Sequence, residues 1–192
     1  NTTGIVQANS VSIQNGTVIL DGGTGGVNVG GTVSAAGTMP GTTGGAVSVP
    51  GGSVTLAAGA TVDVSGQNGG GTASIGGNAH GAGPLANAAT TSIAPGATIR
   101  ADATVAGNGG QVAVWSQQRT DFNGSISAQG GPQGGNGGYV ETSSLGTLTF
   151  TGNVKAGAIK GNPGTWLLDP DDLTIDSAAA TAINGALASA DV

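Results

Sequence analysis

The stretch GGQVAVWSQQRTDFNGSISAQGGPQGGNGGYVET (109–142) contains one opening twice: a glycine pair followed by a short alternating strand. GGQVAVW (109–115) returns 28 residues later as GGYVET (137–142). The same opening stands earlier as GGAVSV (44–49) and GGTASI (70–75). A second element, Gly or Ala followed by a three-residue strand with an apolar centre, recurs beside it. It reads GTVSAAG (31–37), ATVDVSG (60–66), ATIRADA (97–103), GSISAQG (124–130) and GNVKAGA (152–158). Its apolar positions are Val33, Val62, Ile99, Ile126 and Val154, spaced 29, 37, 27 and 28 residues apart. The glycine-pair element is spaced 26, 39 and 28. Both series lengthen at the same place, so one insertion near 76–90, GGNAHGAGPLANAAT, explains both.

A third strand precedes the second element, in VTLAAGATV (54–62), SIAPGATI (92–99), DFNGSI (121–126) and TFTGNV (149–154). Each unit therefore holds three short strands, period two within each, and no helix between them. A parallel sheet built from βαβ units would need crossover helices of at least about ten residues. A β-sandwich would show no fixed period. The pattern predicts an all-β chain folded as a parallel β-solenoid over 1–176, three short strands per coil, consecutive coils about 4.8 Å apart. Val33, Val62, Ile99, Ile126 and Val154 are expected to stack inward as one core row. The glycine pairs are expected to supply φ > 0 at the corners.

The C-terminal stretch changes character. GTWLLDPDDLTID (164–176) is bulky and carries two prolines nearby, Pro163 and Pro170, so an interruption of the solenoid is expected there, with Trp166 as a core plug. SAAATAINGALASADV (177–192) places Ala182, Ile183, Ala186, Leu187 and Ala190 at helical spacing. It predicts a short helix with Ser177 as its cap, which either covers the open end of the stack as a terminal cap or, the favoured reading, is a lateral excursion before a further strand that starts at Asp191-Val192.

Composition narrows the function. The chain has 40 Gly among 192 residues, and charged residues make up 7%, against about 25% in ordinary domains. Recurring Val, Ile and Thr argue against disorder. The net charge is −6, and Arg100, Arg119, Lys155 and Lys160 are the only Lys and Arg residues. A phosphate backbone would be repelled, which excludes nucleic acid. No apolar run approaches the roughly 18 residues of a membrane span. There is no cysteine, and stacked coils can bury a continuous core without disulfides. Asn1-Thr2-Thr3 opens no signal peptide, and the start suggests a processed or excised piece.

Candidate chemistry is sparse. Glycosidases need two facing carboxylates; Asp121 and Glu141 are the nearest to a pair and sit in separate strands, with Arg119 beside the first. Asp63 and Asp102 do not take equivalent places in their units. His80 is the only histidine, and no Gly-x-Ser-x-Gly elbow accompanies it. Asp169, Asp171 and Asp172 are weak calcium candidates without EF-hand spacing; a turn role explains them as well. Tyr139, at an outward parity between Gly138 and Val140, is the candidate for surface contact. The Gly-rich runs lack the Gly-Lys-Ser/Thr of a phosphate cradle. No catalytic residue, no metal and no cofactor is expected, and the chain reads as a non-enzyme.

The runs 109–144 and GTWLLDPDDLTID (164–176), with HGAGPLANAATTSIAPGATIRADA (80–103), resemble the haemagglutinin-type exoproteins of bacterial two-partner secretion, the filamentous haemagglutinin-like and high-molecular-weight adhesins. The resemblance covers roughly 45–192. It implies a right-handed parallel β-helix, export through an outer-membrane partner transporter by way of a region outside this chain, and a secreted or cell-surface place on a Gram-negative bacterium. It also implies a role in adhesion or biofilm, with a host or matrix glycan or protein as receptor. The Asn-Pro-Asn motifs of the family's secretion domain are missing; only Asn162-Pro163-Gly164 comes near. The expectation is therefore a structural rod segment. The alternatives are a polysaccharide-active β-helix enzyme and a carbohydrate- or ice-binding solenoid.

Overall fold

The computed structural model describes the backbone of residues 5–7 and the whole of residues 16–192; the parts of the predicted 1–176 solenoid at 1–4 and 8–15 lie outside the described residues. Strands follow one another coil by coil. The first coil holds β1 (Ile5–Gln7), β2 (Thr17–Ile19) and β3 (Gly26–Val29). The second holds β4 (Thr32–Ser34), β5 (Ala46–Val49) and β6 (Ser53–Leu56). The third holds β7 (Thr61–Asp63), β8 (Thr72–Ile75) and β9 (Thr90–Ile93). The fourth holds β10 (Thr98–Arg100), β11 (Gln111–Val114) and β12 (Arg119–Phe122). Next come β13 (Ser125–Ser127) and the long β14 (Tyr139–Phe150), then β15 (Asn153–Lys155) and β16 (Thr165–Leu173), and last the helix α1 (Ser177–Leu187).

Every pairing between these strands is parallel and joins one coil to the next, so the chain is a parallel β-solenoid. One face is the six-stranded sheet β1-β4-β7-β10-β13-β15. The second face stacks β2-β5-β8-β11 onto the start of β14, and the third stacks β3-β6-β9-β12 onto its end. β14 continues without a break through the corner at which the earlier coils interrupt their strands, which joins the two faces into one sheet; its pairing with β16 shifts register there, between Ser144 and Thr147.

Side-chain alternation fills the lumen. On the first face Val33, Val62, Ile99, Ile126 and Val154 are register partners in succession and all are buried. On the second, Val47, Ala73, Val112, Val140 and Trp166 form the corresponding row. On the third, Leu56, Ile93, Phe122 and Phe150 do so. Trp166 is fully buried and takes the place that Ala or Val held in lower coils, so its ring crosses the lumen. It meets Phe122 and Phe150 edge-on, with centroids 6.4 and 5.5 Å apart, and its indole N–H donates to Thr142 Oγ1 at 2.9 Å. At the corner between the second and third faces the filling is polar: Thr91 Oγ1 donates to the Trp115 carbonyl, Thr120 Oγ1 to the Ser143 carbonyl, and Ser116 bonds Thr120 and Ser144.

Three expectations need correction. The glycine pairs that open the strands, 44/45, 70/71, 109/110 and 137/138, do not adopt positive φ. Positive φ falls instead on turn residues such as Gly41, Gly59 and Gly96. The pairs are required by close approach: a Cβ on Gly44, Gly70, Gly109 or Gly137 would overlap the carbonyl of Val64, Ala101, Ala128 or Ala156. The second glycine of each pair donates its N–H to a different carbonyl, the one within its own coil: Gly45 to Ala35, Gly71 to Val64, Gly110 to Ala101 and Gly138 to Ala128, each at 2.7 Å.

Nor is the solenoid interrupted after Asn162. Gly164 makes the same corner bond, to Ala156, and β16 pairs with β14 without a gap from Thr165 to Pro170. Pro170 is accommodated because alternate residues of a strand present their amides to opposite neighbours. Thr165 N–H bonds Gly138 of the preceding coil, and Trp166 N–H bonds Asp191 on the other side. Pro170 shares the parity of Trp166, so the donor it lacks faces away from β14.

The helix cap is Asp176 rather than Ser177: its Oδ1 accepts from Ala178 N–H and Ala179 N–H, both at 2.9 Å. α1 packs against β15, where a further strand of the first face would otherwise lie, and buries Ala179, Ala182 and Ala186. Small side chains let a helix sit that close. Ile183 is only partly buried and Leu187 is exposed. After α1 the chain returns to the second face, and Asp191 bridges Thr165 in parallel. Among the described residues no helix is long and apolar enough to cross a membrane.

Candidate functional site

The corner after β8 is the irregular one. Residues 50–52 and 115–118 span the equivalent corner elsewhere, but 76–89 intervene between β8 and β9, with a single 3-10 turn at Ala79–Gly81. The insertion lies over the outer surface of the second face. Trp115, just past β11, supports it: Gly77 and Gly81 rest so close to its ring that a Cβ on Gly81 would overlap it. Asn87 Nδ2 closes the loop on itself by donating to the Gly81 carbonyl at 2.8 Å.

His80 adopts φ 56° and ψ 20°, the left-handed region, which costs a residue with a Cβ roughly 1 kcal/mol. That conformation points its backbone N–H at Glu141, whose two carboxylate oxygens accept it at 3.0 and 3.1 Å. Glu141 belongs to an outward row, Ser74–Ala113–Glu141–Leu167, yet its side chain is 0% exposed because the insertion covers it. A carboxylate so placed needs donors, and the Tyr139 hydroxyl, 3.4 Å from Glu141 Oε2, is the second. The same hydroxyl lies 3.4 Å from His80 Nε2. The His80 ring is 59% exposed, with Nδ1 4.0 Å from both Glu141 Oε2 and Asp169 Oδ2. Burial, the charge of Glu141, the hydrogen bond to it and the charge of Asp169 together push the Tyr139 phenol up to about 12.

Four residues from three parts of the chain thus meet: His80 from the insertion, Tyr139 and Glu141 from β14, and Asp169 from β16. His80 and Glu141 have no sequence relation that announces the contact. The one usable signal is that Glu141 is the only acid in its outward row.

The other acids are elsewhere. Asp121 on β12 receives two bonds from Arg119 Nε, at 3.0 and 2.8 Å, and one from Nη2 at 2.7 Å. The hydrogen bond from Arg119 holds the Asp121 carboxyl below its ordinary value against the opposing effect of burial, with Thr149 Oγ1 as a further donor. Asp121 is the register partner of Thr149, near the end of β14, whereas Glu141 lies near its start. The two carboxyls do not face each other across a groove. Asp171 and Asp172 are exposed on the edge strand β16, and Asp169 faces His80. Among the described residues no three His, Asp or Glu side chains converge as a ligand set. Asp102 accepts from Ser127 Oγ at 2.6 Å and from Gln129 N–H at 2.8 Å.

Between the insertion and the sheet lies a cleft of about 330 Å³, lined by Ala73, Ala79, Ala82, Val112 and Ala113, with Thr72, Ser74, Asn78 and Gln111 among its polar groups and Tyr139 as one wall. On the other side of Tyr139 is a shallower, polar groove of about 350 Å³ along the glycine corners. Asn108, Asn136 and Asn162 form a ladder there: Asn108 Oδ1 accepts from Asn136 N–H at 2.8 Å and Asn136 Oδ1 from Asn162 N–H at 2.9 Å.

No protein-family model matches the chain, and no curated protein does. Among solved structures the chain is similar to the crystal structure of the HMW1 secretion domain from Haemophilus influenzae. The TM-score is 0.70 and the identity 32%, over 87% of this chain and 43% of that one. The chain therefore spans less than half the length of that domain.

Proposed function

We propose that this chain is a segment of the β-helical shaft of a secreted bacterial exoprotein, exported by two-partner secretion and held at the surface of a Gram-negative cell. Its work is structural and adhesive, and it carries no catalytic step. The observation that supports this most is the likeness to the HMW1 secretion domain, in sequence as well as in fold. Physics gives the shaft its use. Parallel pairing adds about 4.8 Å per coil, and each coil rests only on its neighbours, so folding can proceed coil by coil as a chain emerges from a pore. The outer-membrane transporter is the partner during export, and a host or matrix glycan or protein is the receptor afterwards. The polysaccharide-active alternative is disfavoured by the separation of Asp121 from Glu141 and by the partners each already has.

A second reading follows from the same likeness: the segment belongs to the part that directs secretion rather than to the shaft beyond it. One experiment separates them. The chain is placed behind a periplasmic export signal and produced with and without a two-partner transporter from the same cell. Transporter-dependent appearance in the medium identifies the secretion-directing part. Retention in the periplasm, with export restored when a complete secretion domain is fused in front, identifies the shaft. Retention even in that fusion would overturn both.

A further inference from the structure

We propose that the cleft beneath the 76–89 insertion, together with the asparagine ladder across Tyr139, is a binding site for a neutral glycan. The inference rests on the adhesive reading above and names the ligand chemistry of the site.

Three observations carry it. First, the cleft is amphipathic in the way a sugar ring is. Its floor is the outward-facing Ala113 beside the backbone of Ala73 and Val112, whose side chains fill the lumen; its roof is Ala79 and Ala82 of the insertion, and Gln111, Thr72 and Asn78 stand among them with hydrogen-bonding groups. About 330 Å³ is enough for one sugar residue, and it falls in the ordinary range of small-molecule sites. Tyr139 offers an aromatic side chain against which the C–H face of a ring can pack.

Second, the site continues. Tyr139 lines both the cleft and the neighbouring groove, so it forms a ridge between two depressions. In the groove the Oδ1 atoms of Asn108 and Asn136 are occupied by the ladder. Their Nδ2 groups donate to none of the described residues and remain for the hydroxyls of a second sugar. Successive ladder rungs are about 4.8 Å apart, close to the advance of an extended glycan per residue.

Third, charge selects among glycans. Neither depression is lined by Lys or Arg. Glu141 and Asp169 stand behind Tyr139. A sialic or uronic acid would find no cation in either depression and would lie near the negative charge of those two acids, so the site fits an uncharged oligosaccharide.

The test is saturation-transfer NMR on the folded chain, with lactose and cellotetraose as neutral probes and 3′-sialyllactose as the anionic one. Binding is expected for at least one neutral probe, with transfer strongest at ring C–H protons and none to the sialic acid residue. Tyr139→Ala should weaken that probe by about tenfold, as expected for one aromatic contact. Gln111→Ala, on an exposed outward position, should weaken it less while leaving the fold intact by circular dichroism. Absence of transfer to both neutral probes, equal binding by folded Tyr139→Ala, or preferential transfer to the sialic acid residue would each overturn the proposal. The assay uses purified protein, so its failure leaves the export experiment unaffected, and failed export would not touch the glycan result.

Discussion

The backbone N–H of His80 is bound by both carboxylate oxygens of Glu141, 61 residues further along the chain. This contact closes the insertion over two coils of the second face. It ties a loop that would otherwise be free at its tip to the start of β14, which is paired on both sides by β11 and β16.

Glu141→Ala should therefore release the loop without melting the solenoid. The His80 amide loses its acceptor, at a cost of about 1–3 kcal/mol, confined to residues 76–89. Hydrogen exchange at His80 should accelerate at least tenfold while amides of β11 and β14 stay protected. Unchanged protection at His80 would show that Trp115 and Asn87 hold the loop by themselves.

Tyr139 is the single tyrosine of the chain, so an ultraviolet difference titration reports it alone. The midpoint should lie near 12, above the ordinary value of about 10. The folded value is the raised one, so the contribution to stability is fully present below about pH 10. It is lost as pH climbs through about 12. Glu141→Gln removes a neighbouring charge and should move the midpoint down toward the ordinary value. A midpoint that stays put would leave burial and the charge of Asp169 as the causes.

Ile126 is flanked in its row by Ile99 and Val154. Ile126→Asp places a charge where no donor waits and should cost more than about 4 kcal/mol. Ser125→Asp, one residue away and facing outward, should change stability by less than about 0.5 kcal/mol. Thermal unfolding of the two variants measures both; equal melting temperatures would contradict the register.

Asp176→Ala removes two bonds to the first turn of α1. Loss of such a cap costs about 0.5–2 kcal/mol, and here it should appear as faster exchange at Ala178 and Ala179. Circular dichroism of the strands should not change.

The repeat was legible because period two within strands and a near-constant coil length write the core row directly into the sequence. Val62, Ile99 and Ile126 could be aligned without knowing any contact. The insertion was legible for the same reason, since it displaced two series by similar amounts. What the insertion touches was not legible. His80 reaches Glu141 through the path of a loop, and no spacing rule records that path. The glycine pairs show a different limit: composition marks them as special but does not tell close approach from left-handed backbone, and at these corners close approach is the cause. Ser177 suits a cap by residue type, but the Asp176 carboxylate one position earlier starts the helix a residue sooner and takes the amides of Ala178 and Ala179.

Pro170 has a consequence for assembly. A stack of parallel coils is a growing crystal one molecule wide, and its last strand is a seed. Any extended peptide of suitable register, from the same chain or another, can add to it. Along β16 the bonding groups that face away from β14 include the ring nitrogen of Pro170, which has no hydrogen to offer. A strand that lays itself down from Trp166 onward finds its ladder broken after two residues of that parity. The proline that the preceding coil tolerates thus acts on the other side as a filter on what may follow: it admits a short contact such as the bridge of Asp191 to Thr165, and poisons the long flat pairing from which fibres grow.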